Sequence, residues 1–301
     1  MTDYGPIEEA ASRWVADLSA RGMSAIVTGR LANGLRAEIR SGSSSCRVNL
    51  FLSVRRGFSV IYSGGDKSLA EAAAISADGT QDCVEGLSAG MDEAGKGDYF
   101  GPLVAAAVCL DPSRAAELRR LGVVDSKLLD DRRIAVLARI VRERAAGFRV
   151  EALDPADYND AFDAERISGR NSLDILASLH GRALGELVRR LGAPARTILD
   201  RFCRPERIEP YLPSGVLVEM RTGAESFTPV AAASILARDE YSRRLADLGR
   251  ALGVNLPAGS SAAADEAGRR LVRRHGEGVL KLCAKVHFRN TGRILTSPAG
   301  S

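Results

Sequence analysis

The residues best suited to chemistry lie in one segment, GMDEAGKGDYFGP, which spans residues 90–102. Two adjacent acids, Asp92 and Glu93, end an apolar run and are followed at once by glycines. Neighbouring residues of a regular strand point to opposite faces, so we expect the chain to twist or bulge here if both acids serve one site. An isolated pair of acids is more often a solvated turn. The residues around the pair therefore decide between a site and a turn.

A short glycine segment directly follows the two acids. Gly95, Lys96 and Gly97 supply backbone N–H groups and one cation. This set of donors suits a phosphate held beside a metal site, although the same tripeptide would also serve a simple hairpin turn. A Walker loop has Ser or Thr directly after its GK pair, whereas Gly97 and then Asp98 follow Lys96 here. Binding of a nucleoside triphosphate therefore has little support.

Two further acids stand at the ends of predicted elements. Asp200 ends the strand-like run RTILD, and acids at the carboxyl ends of α/β strands commonly face the ligand crevice. Its alternative role is a cap for the following segment. Glu225 precedes a predicted helix rich in small residues, where an acid could merely favour the helix dipole. Carboxylate oxygens without a histidine–cysteine cluster favour Mg²⁺ or Mn²⁺ over zinc.

The elements that must position these acids belong to the second of two predicted domains. A chain of 301 residues is longer than one typical domain, and we place the boundary in the polar stretch ADGTQDCVEG, giving domains 1–82 and 83–301. After the boundary, strand-like and helical runs alternate, which is typical of an α/β fold. The helical runs include residues 130–145, a long helix capped by Asn171, a helix from Pro229 to about Leu252 and two closing stretches.

The first domain is predicted to be a small α+β unit. A helix over residues 6–20 precedes four strand-like runs with turn residues between them, and KSLAEAAAIS is helical. In the third run, alternation predicts that one set of side chains faces solvent and the other faces the helices. The solvent set contains Arg47, Asn49 and Phe51. The helix-facing set is Val48, Leu50, Leu52 and Val54.

Composition sets broad limits on compartment and partners. The net charge of +4 is compatible with a polyanionic partner but is too small to demonstrate one. The five cysteines are odd in number and form no CxxC pair, which argues against a disulfide framework or a zinc site and favours a reducing cytoplasm. No run of about 18 apolar residues is present, so membrane spanning and export are disfavoured.

Five separated segments resemble one family. GMDEAGKGDYFGP, DSKLLDDRRI, ILDRF, TGAESFTPVAAASILARDEY and LCAKVHFRNT occur in the order found in type 2 ribonucleases H, across residues 88–292. The subtype resembles ribonuclease HIII, because it has GDYFGP, Glu225 where ribonuclease HII has Asp, and an additional N-terminal domain. The departures are Gly223, where a basic residue is common before the final acid, and Arg201 after Asp200.

The resemblance implies a fold and a set of site residues. The fold is α/β, a ribonuclease H-like catalytic domain with a mixed central sheet flanked by helices, preceded by a TATA-binding-protein-like domain that helps to hold substrate. The glycine segment would recognise ribose 2′-hydroxyls, and the solvent face of the first domain would contact the duplex. The four acidic positions of the family, which hold Mg²⁺ or Mn²⁺, fall on Asp92, Glu93, Asp200 and Glu225.

The implied activity is endonucleolytic cleavage of the RNA strand of RNA/DNA hybrids by a monomer, with two metal ions and with Asp92 the best candidate to bridge them. One alternative is incision at single embedded ribonucleotides, as in ribonuclease HII, where a C-terminal tyrosine stacks at the RNA–DNA junction. Here no tyrosine follows Tyr241, and Phe288 would stack only if its ring faced the substrate. The other alternative is a binding protein without catalysis. The roles of Lys127 and His287 stay open.

Overall fold

The chain divides into two compact units, each built around its own β-sheet. The computed structural model describes residues 4–20, 22–53, 57–74, 86–123, 126 and 129–296. The predicted domain boundary between residues 82 and 83 falls outside these residues, so it stays a prediction.

The first unit is a four-stranded antiparallel sheet with a helix before it and a helix after it. The strands pair in sequence order. Trp14 is buried between the helices, and its indole N–H donates to the carbonyl of Ala73 at 2.9 Å. The elements are α1 (Gly5–Ala20), β1 (Ser24–Leu31), β2 (Gly34–Ser41), β3 (Ser44–Ser53), β4 (Gly57–Gly65) and α2 (Lys67–Ala74).

Strand β3 alternates over most of its length as the sequence predicts. Arg47 is exposed, Asn49 and Phe51 are half-buried, and Val48 and Leu50 are fully buried. The pattern ends before the strand does. The prediction for Leu52 is wrong, because its side chain is 38% exposed and lies beyond the apolar cluster that the two helices cover. Val54 lies outside the described residues.

The second unit contains a mixed five-stranded sheet in the order β7-β6-β5-β8-β9. β5, β6 and β7 are antiparallel to one another, whereas β8 and β9 run parallel to β5. The run LVAAAVCL of β6 is buried at every residue, as expected for a strand with both faces covered. The strands are β5 (Ser88–Ala94), β6 (Leu103–Leu110), β7 (Gly147–Leu153), β8 (Arg196–Asp200) and β9 (Val218–Arg221).

Helices cover the sheet. The helices of the described segments are α3 (Pro112–Arg120), α4 (Asp131–Arg144), α5 (Pro155–Ile167), α6 (Ser172–Leu191), α7 (Pro205–Ile208), α8 (Thr228–Leu252), α9 (Ala262–His275), α10 (Val279–Cys283) and α11 (Arg289–Thr296). Asn171 caps α6 as predicted: its side chain accepts from the Leu173 amide, and Asp174 accepts from the Asn171 amide in return. The C-terminal part holds three helices where two were predicted, because the glycines near residue 277 separate α9 from the short α10.

The two long helices α6 and α8 sandwich strand β5. Ala89 and Met91 pack against α6, whereas Gly90 faces the start of α8. A Cβ atom at Gly90 would lie 2.1 Å from the backbone of Pro229 and Val230, so the helix reaches the strand only because this residue has no side chain. The predicted fold class is therefore confirmed. Within the described segments, no helix combines the length and apolarity needed to cross a membrane.

Candidate active site

Asp92 and Glu93 lie at the end of β5 and leave the strand on opposite faces. The antiparallel register with β6 runs unbroken from Ser88 to Ala94, so the expected bulge is not present. Asp92 contacts Ser234 of α8, and Glu93 contacts His180 of α6. Both carboxylates reach one cleft because they lie at the end of the strand, where side chains from either face of the sheet can extend past its edge.

The cleft joins three of the four predicted acids to the glycine segment. β8 runs parallel to β5 and ends at Asp200, so the carboxyl ends of both strands open at the same edge of the sheet. Asp92, Glu93 and Asp200 line this cleft together with the segment from Gly95 to Gly97. The other lining residues include Ser126, Asp131, Ser234 and Arg238.

Asp92 carries a strongly perturbed carboxyl. Burial raises its pKa to about 7, and the negative charges of Glu93 and Asp200 act in the same direction. The backbone amide of Glu93 donates to Asp92 Oδ1 at 2.8 Å, and the hydroxyl of Ser234 also contacts the carboxylate. These donors offset only part of the repulsion. Within the described residues Asp92 forms no ion pair, so a cation in the cleft would be attracted to its carboxylate.

Glu93 is held in its charged form by two neighbours. Burial by itself would raise its pKa, but the hydrogen bond from His180 and the charge of the Lys96 ammonium lower it. His180 Nε2 lies 3.2 Å from Glu93 Oε2, and Lys96 Nζ lies 3.4 Å from Oε1. The surroundings therefore shift the pKa values of the two carboxyls in opposite directions: that of Asp92 is raised and that of Glu93 is lowered.

The glycine segment turns tightly after β5. Gly95 has φ +86°, and a Cβ atom there would lie 2.1 Å from the carbonyl oxygen of Pro102. Only glycine fits this conformation and this space. A Cβ atom at Gly97, by contrast, would meet no atom of the described residues within 4 Å. The backbone of Gly97 is therefore open to a ligand from the cleft.

Lys285 supports the residues that follow this turn. Its fully buried ammonium donates to the carbonyls of Asp98 at 3.0 Å and Gly101 at 2.8 Å. Burial lowers the pKa of Lys285 to about 7. This lysine was not predicted as a functional residue, although it lies in LCAKVHFRNT, one of the family-like segments. The feature of the sequence that could have identified Lys285 is a charged residue between apolar neighbours, Ala284 and Val286.

Asp200 and Glu225 are neighbours through the backbone. The amide of Ala224 donates to Asp200 Oδ1 at 3.3 Å, which sets the 3₁₀ turn Ala224–Ser226 beside the end of β8. Glu225 is half-buried on this turn, but it is not among the residues that line the cleft. Its role as a fourth ligand therefore stays a prediction.

The other conspicuous groups are placed as follows. The ring of His287 stacks on Phe162 with a centroid separation of 4.0 Å, and His287 is not a lining residue of the cleft. The ring of Phe288 packs against the ring of Tyr99, with a centroid separation of 6.2 Å. Lys127 lies outside the described residues. The neighbouring Ser126 donates to or accepts from Ser234 at 2.7 Å.

The donor chemistry of the cleft fits a hard divalent cation. Asp92, Glu93 and Asp200 offer carboxylate oxygens, which Mg²⁺ and Mn²⁺ prefer. Within the part of the chain that the structure describes, no three acid, histidine or cysteine side chains already form a ligand set. Like charges repel, so we expect the carboxylates to converge only around a bound cation.

Comparisons with known proteins agree with this fold. The profile of the family Ribonuclease HII matches residues 89–291. The chain therefore belongs to the ribonuclease HII family, the type 2 ribonucleases H. Within that family it is similar to ribonuclease HIII. The protein of that name from Geobacillus kaustophilus is 39% identical over 221 residues, which cover 70% of each chain. That from Streptococcus pneumoniae strain P1031 is 33% identical over 208 residues, covering 67% of this chain and 70% of the relative.

Solved structures extend the likeness to nearly the whole chain. The crystal structure of Bst-RNase HIII in complex with Mn²⁺ superimposes with a TM-score of 0.66 at 30% identity, covering 93% of this chain and 94% of that one. Ribonuclease H2 from Pyrococcus horikoshii OT3 is 24% identical with a TM-score of 0.59 and covers 69% of this chain, a likeness of fold alone. The wider coverage by Bst-RNase HIII includes the N-terminal unit.

Proposed function

We propose that this chain is a metal-dependent endoribonuclease that hydrolyses the RNA strand of RNA/DNA hybrids, leaving 5′-phosphate and 3′-hydroxyl ends. Membership of the family supports ribonuclease H activity. The observation that carries the proposal is the cleft at the joint carboxyl ends of β5 and β8. There Asp92, Glu93 and Asp200 face one space next to a glycine turn.

The acids of the cleft would hold two Mg²⁺ or Mn²⁺ ions. Bound in this way, the ions supply an activated water and stabilise the leaving 3′-oxygen of the phosphodiester. The resemblance to type 2 ribonucleases H makes Asp92 the candidate shared ligand. Glu225 is the proposed fourth ligand, and it would have to turn from its position on the 3₁₀ turn towards Asp200.

The glycine turn would recognise the ribose of the substrate. The 2′-hydroxyl is the group that distinguishes RNA from DNA at a given site. Gly95 and Gly97 bring bare backbone to the cleft wall, and Lys96 adds a cation beside Glu93. Lys285 fixes the carbonyls directly after the turn. We infer that several successive riboses are contacted here, which favours runs of ribonucleotides.

We expect the first domain to contribute to duplex binding through β3. Arg47→Ala should weaken hybrid binding and make its salt dependence less steep by about one unit in the logarithmic slope. The exposed guanidinium of Arg47 lies over Gly64, with its terminal nitrogen 3.1 Å from the position of a Cβ there. Asn49 and Phe51 lie on the same face of the strand. Titration of a labelled hybrid without divalent metal, at three salt concentrations, measures both quantities.

Arg13→Ala is the matched control for this substitution. Arg13 is an exposed arginine of α1 that pairs with Glu9 at 3.5 Å. An unchanged salt slope for Arg47→Ala, or equal losses for both variants, would exclude β3 from the substrate surface.

Substrate choice separates this proposal from ribonuclease HII-like incision. A duplex with four consecutive ribonucleotides should be cut faster in Mg²⁺ than one with a single ribonucleotide. Each net hydrogen bond to a 2′-hydroxyl contributes about 1 kcal/mol, so loss of two contacts slows cleavage roughly 30-fold. The measurement is a pair of labelled duplexes of one sequence at equal magnesium and salt.

Equal rates on the two duplexes, or faster cutting at the single ribonucleotide, would favour the ribonuclease HII-like alternative. Phe288 would then be the residue to examine for stacking at the junction.

A further inference from the structure

His180 is buried in α6 beneath the acidic cleft. Its imidazole has no exposed surface, and it follows Leu179 on the face of the helix that packs against the sheet. Most residues of that face are apolar. A fully buried imidazole among them needs a specific partner, because burial of a polar group without a hydrogen bond is unfavourable. That partner is Glu93, whose Oε2 lies 3.2 Å from Nε2.

The two oxygens of Glu93 have contrasting neighbours. Oε2 faces His180, which is fully buried and belongs to a 20-residue helix. Oε1 faces the Lys96 ammonium at 3.4 Å, and the Lys96 side chain is 42% exposed on the glycine turn. A long exposed lysine gives way to a competing cation easily, whereas a buried imidazole does not. Oε2 is therefore fixed and Oε1 is available.

The second nitrogen of the ring indicates which tautomer is present. Nδ1 is buried and has no hydrogen-bond partner within the described segments. A proton on Nδ1 would leave a buried N–H unsatisfied and would turn the Nε2 lone pair towards a carboxylate. A proton on Nε2 instead donates to Glu93. The geometry thus places the proton that faces Glu93 on Nε2.

An aromatic contact holds the ring in this orientation. Phe202, two residues after Asp200, stacks on His180 with a centroid separation of 5.2 Å and an interplanar angle of 27°. The Lys96 ammonium lies 5.4 Å from the centroid of the same phenyl ring. Three parts of the fold therefore come together beside Glu93: the residues after β8, His180 on α6 and the glycine turn.

We propose that His180 is a positioning residue: its Nε2–H fixes Oε2 of Glu93 so that Oε1 is presented to a divalent cation. This inference rests on the proposed metal-dependent function. The alternative is that His180 only fills space in the core, in which case any side chain of similar volume could replace it without an effect on metal binding. Hydrogen bonds of this kind to a ligating carboxylate are the usual support of a metal site.

The test compares His180→Leu with His180→Gln in the full chain. Leucine keeps apolar volume and removes the donor, whereas the glutamine amide can place an N–H near the position of Nε2. We expect His180→Leu to weaken Mn²⁺ binding, measured by calorimetry without substrate, by about 10–100-fold. His180→Gln should restore most of the affinity. Both variants should fold, although His180→Leu should unfold at a lower temperature because Glu93 loses a buried donor. Metal-free hybrid binding should stay near wild type for both.

Nuclear magnetic resonance of the wild-type chain gives a readout that needs no variant. The ¹⁵N shifts and couplings of His180, recorded without metal, should show the Nε2–H tautomer. An Nδ1–H pattern would overturn the proposal, as would wild-type Mn²⁺ affinity in a folded His180→Leu variant or equal weakening in both variants. A wild-type chain that fails to cut any hybrid would refute the proposed function instead, so the two failures are distinguishable.

Discussion

Asp200→Asn is expected to reduce hybrid cleavage in Mg²⁺ by more than roughly 100-fold, because loss of a residue that only orients a ligand already costs about 10–100-fold. Asp200 lines the cleft at the end of β8. Asparagine keeps the shape and the oxygen that accepts from the Ala224 amide at 3.3 Å, so the 3₁₀ turn should remain in place. The measurement is the single-turnover cleavage rate of a uniform hybrid at saturating enzyme.

Asp160→Asn provides the matched control, since Asp160 is an exposed acid on α5 of the same unit. It undergoes the same chemical change away from the cleft and should cleave at the wild-type rate. Thermal unfolding and metal-free hybrid binding should be unchanged in both variants. Near-wild-type turnover of Asp200→Asn would remove Asp200 from the site.

Gly90→Ala is expected to lower the stability of the second unit by about 3 kcal/mol, the upper end of the usual cost of overpacking a core. The reason is the 2.1 Å approach of an added Cβ to the backbone of Pro229 and Val230. Main-chain atoms cannot rotate away as a flexible side chain does, so α8 must shift from β5. In a domain of 150–250 residues this cost corresponds to a fall in Tm of roughly 6–12 °C.

Gly185→Ala is the control for this substitution. Gly185 lies within α6, and a Cβ there would meet no atom within 4 Å in the part of the chain that the structure describes. Alanine in a helix is favoured over glycine by about 0.5–1 kcal/mol, so Tm should stay level or rise. Scanning calorimetry on both variants checks the pair. A Tm of Gly90→Ala equal to that of the wild type would mean that α8 does not need this close approach.

The sequence was sufficient to predict the elements with strong periodicity. The helix after Asn171, the strand RTILD and the strand before Asp92 have clear apolar patterns, and the structure contains each of them. The placement of Asp92 and Asp200 at the same edge of the sheet also follows from elementary rules, because the carboxyl ends of parallel strands lie at one edge. Their assignment as metal ligands still rests on resemblance and remains a proposal.

Other features depend on tertiary contacts that no local pattern encodes. β9 has four residues, too few to display alternation, and it forms only because β8 offers a parallel partner. The chain was expected to twist or bulge at the glycines; it has no bulge at Asp92 and Glu93 and turns at Gly95 instead. Alternation along the strand was correctly read, but the cleft uses both faces of the strand end, which became visible only with α6 and α8 in place.

His180 and Lys285 were the residues that sequence reasoning missed. Each is a polar side chain at a position that an apolar pattern would fill, His180 within α6 and Lys285 after α10. A histidine in an apolar helix face is usually a core residue with a satisfied partner, so the sequence gives no reason to connect it with Glu93. The connection spans 87 residues and exists only in the folded chain.

Cleavage of a uniform RNA/DNA hybrid, with the RNA end-labelled, tests the central claim most directly. The account predicts internal cuts in the RNA strand in Mg²⁺ or Mn²⁺, products with 5′-phosphates, an intact DNA strand, and complete loss of cutting when a chelator removes the metal. A hybrid that is shifted on a gel but stays intact with either metal would show a binding protein without catalysis. Cutting that persists in the chelator would contradict the role of the acidic cleft.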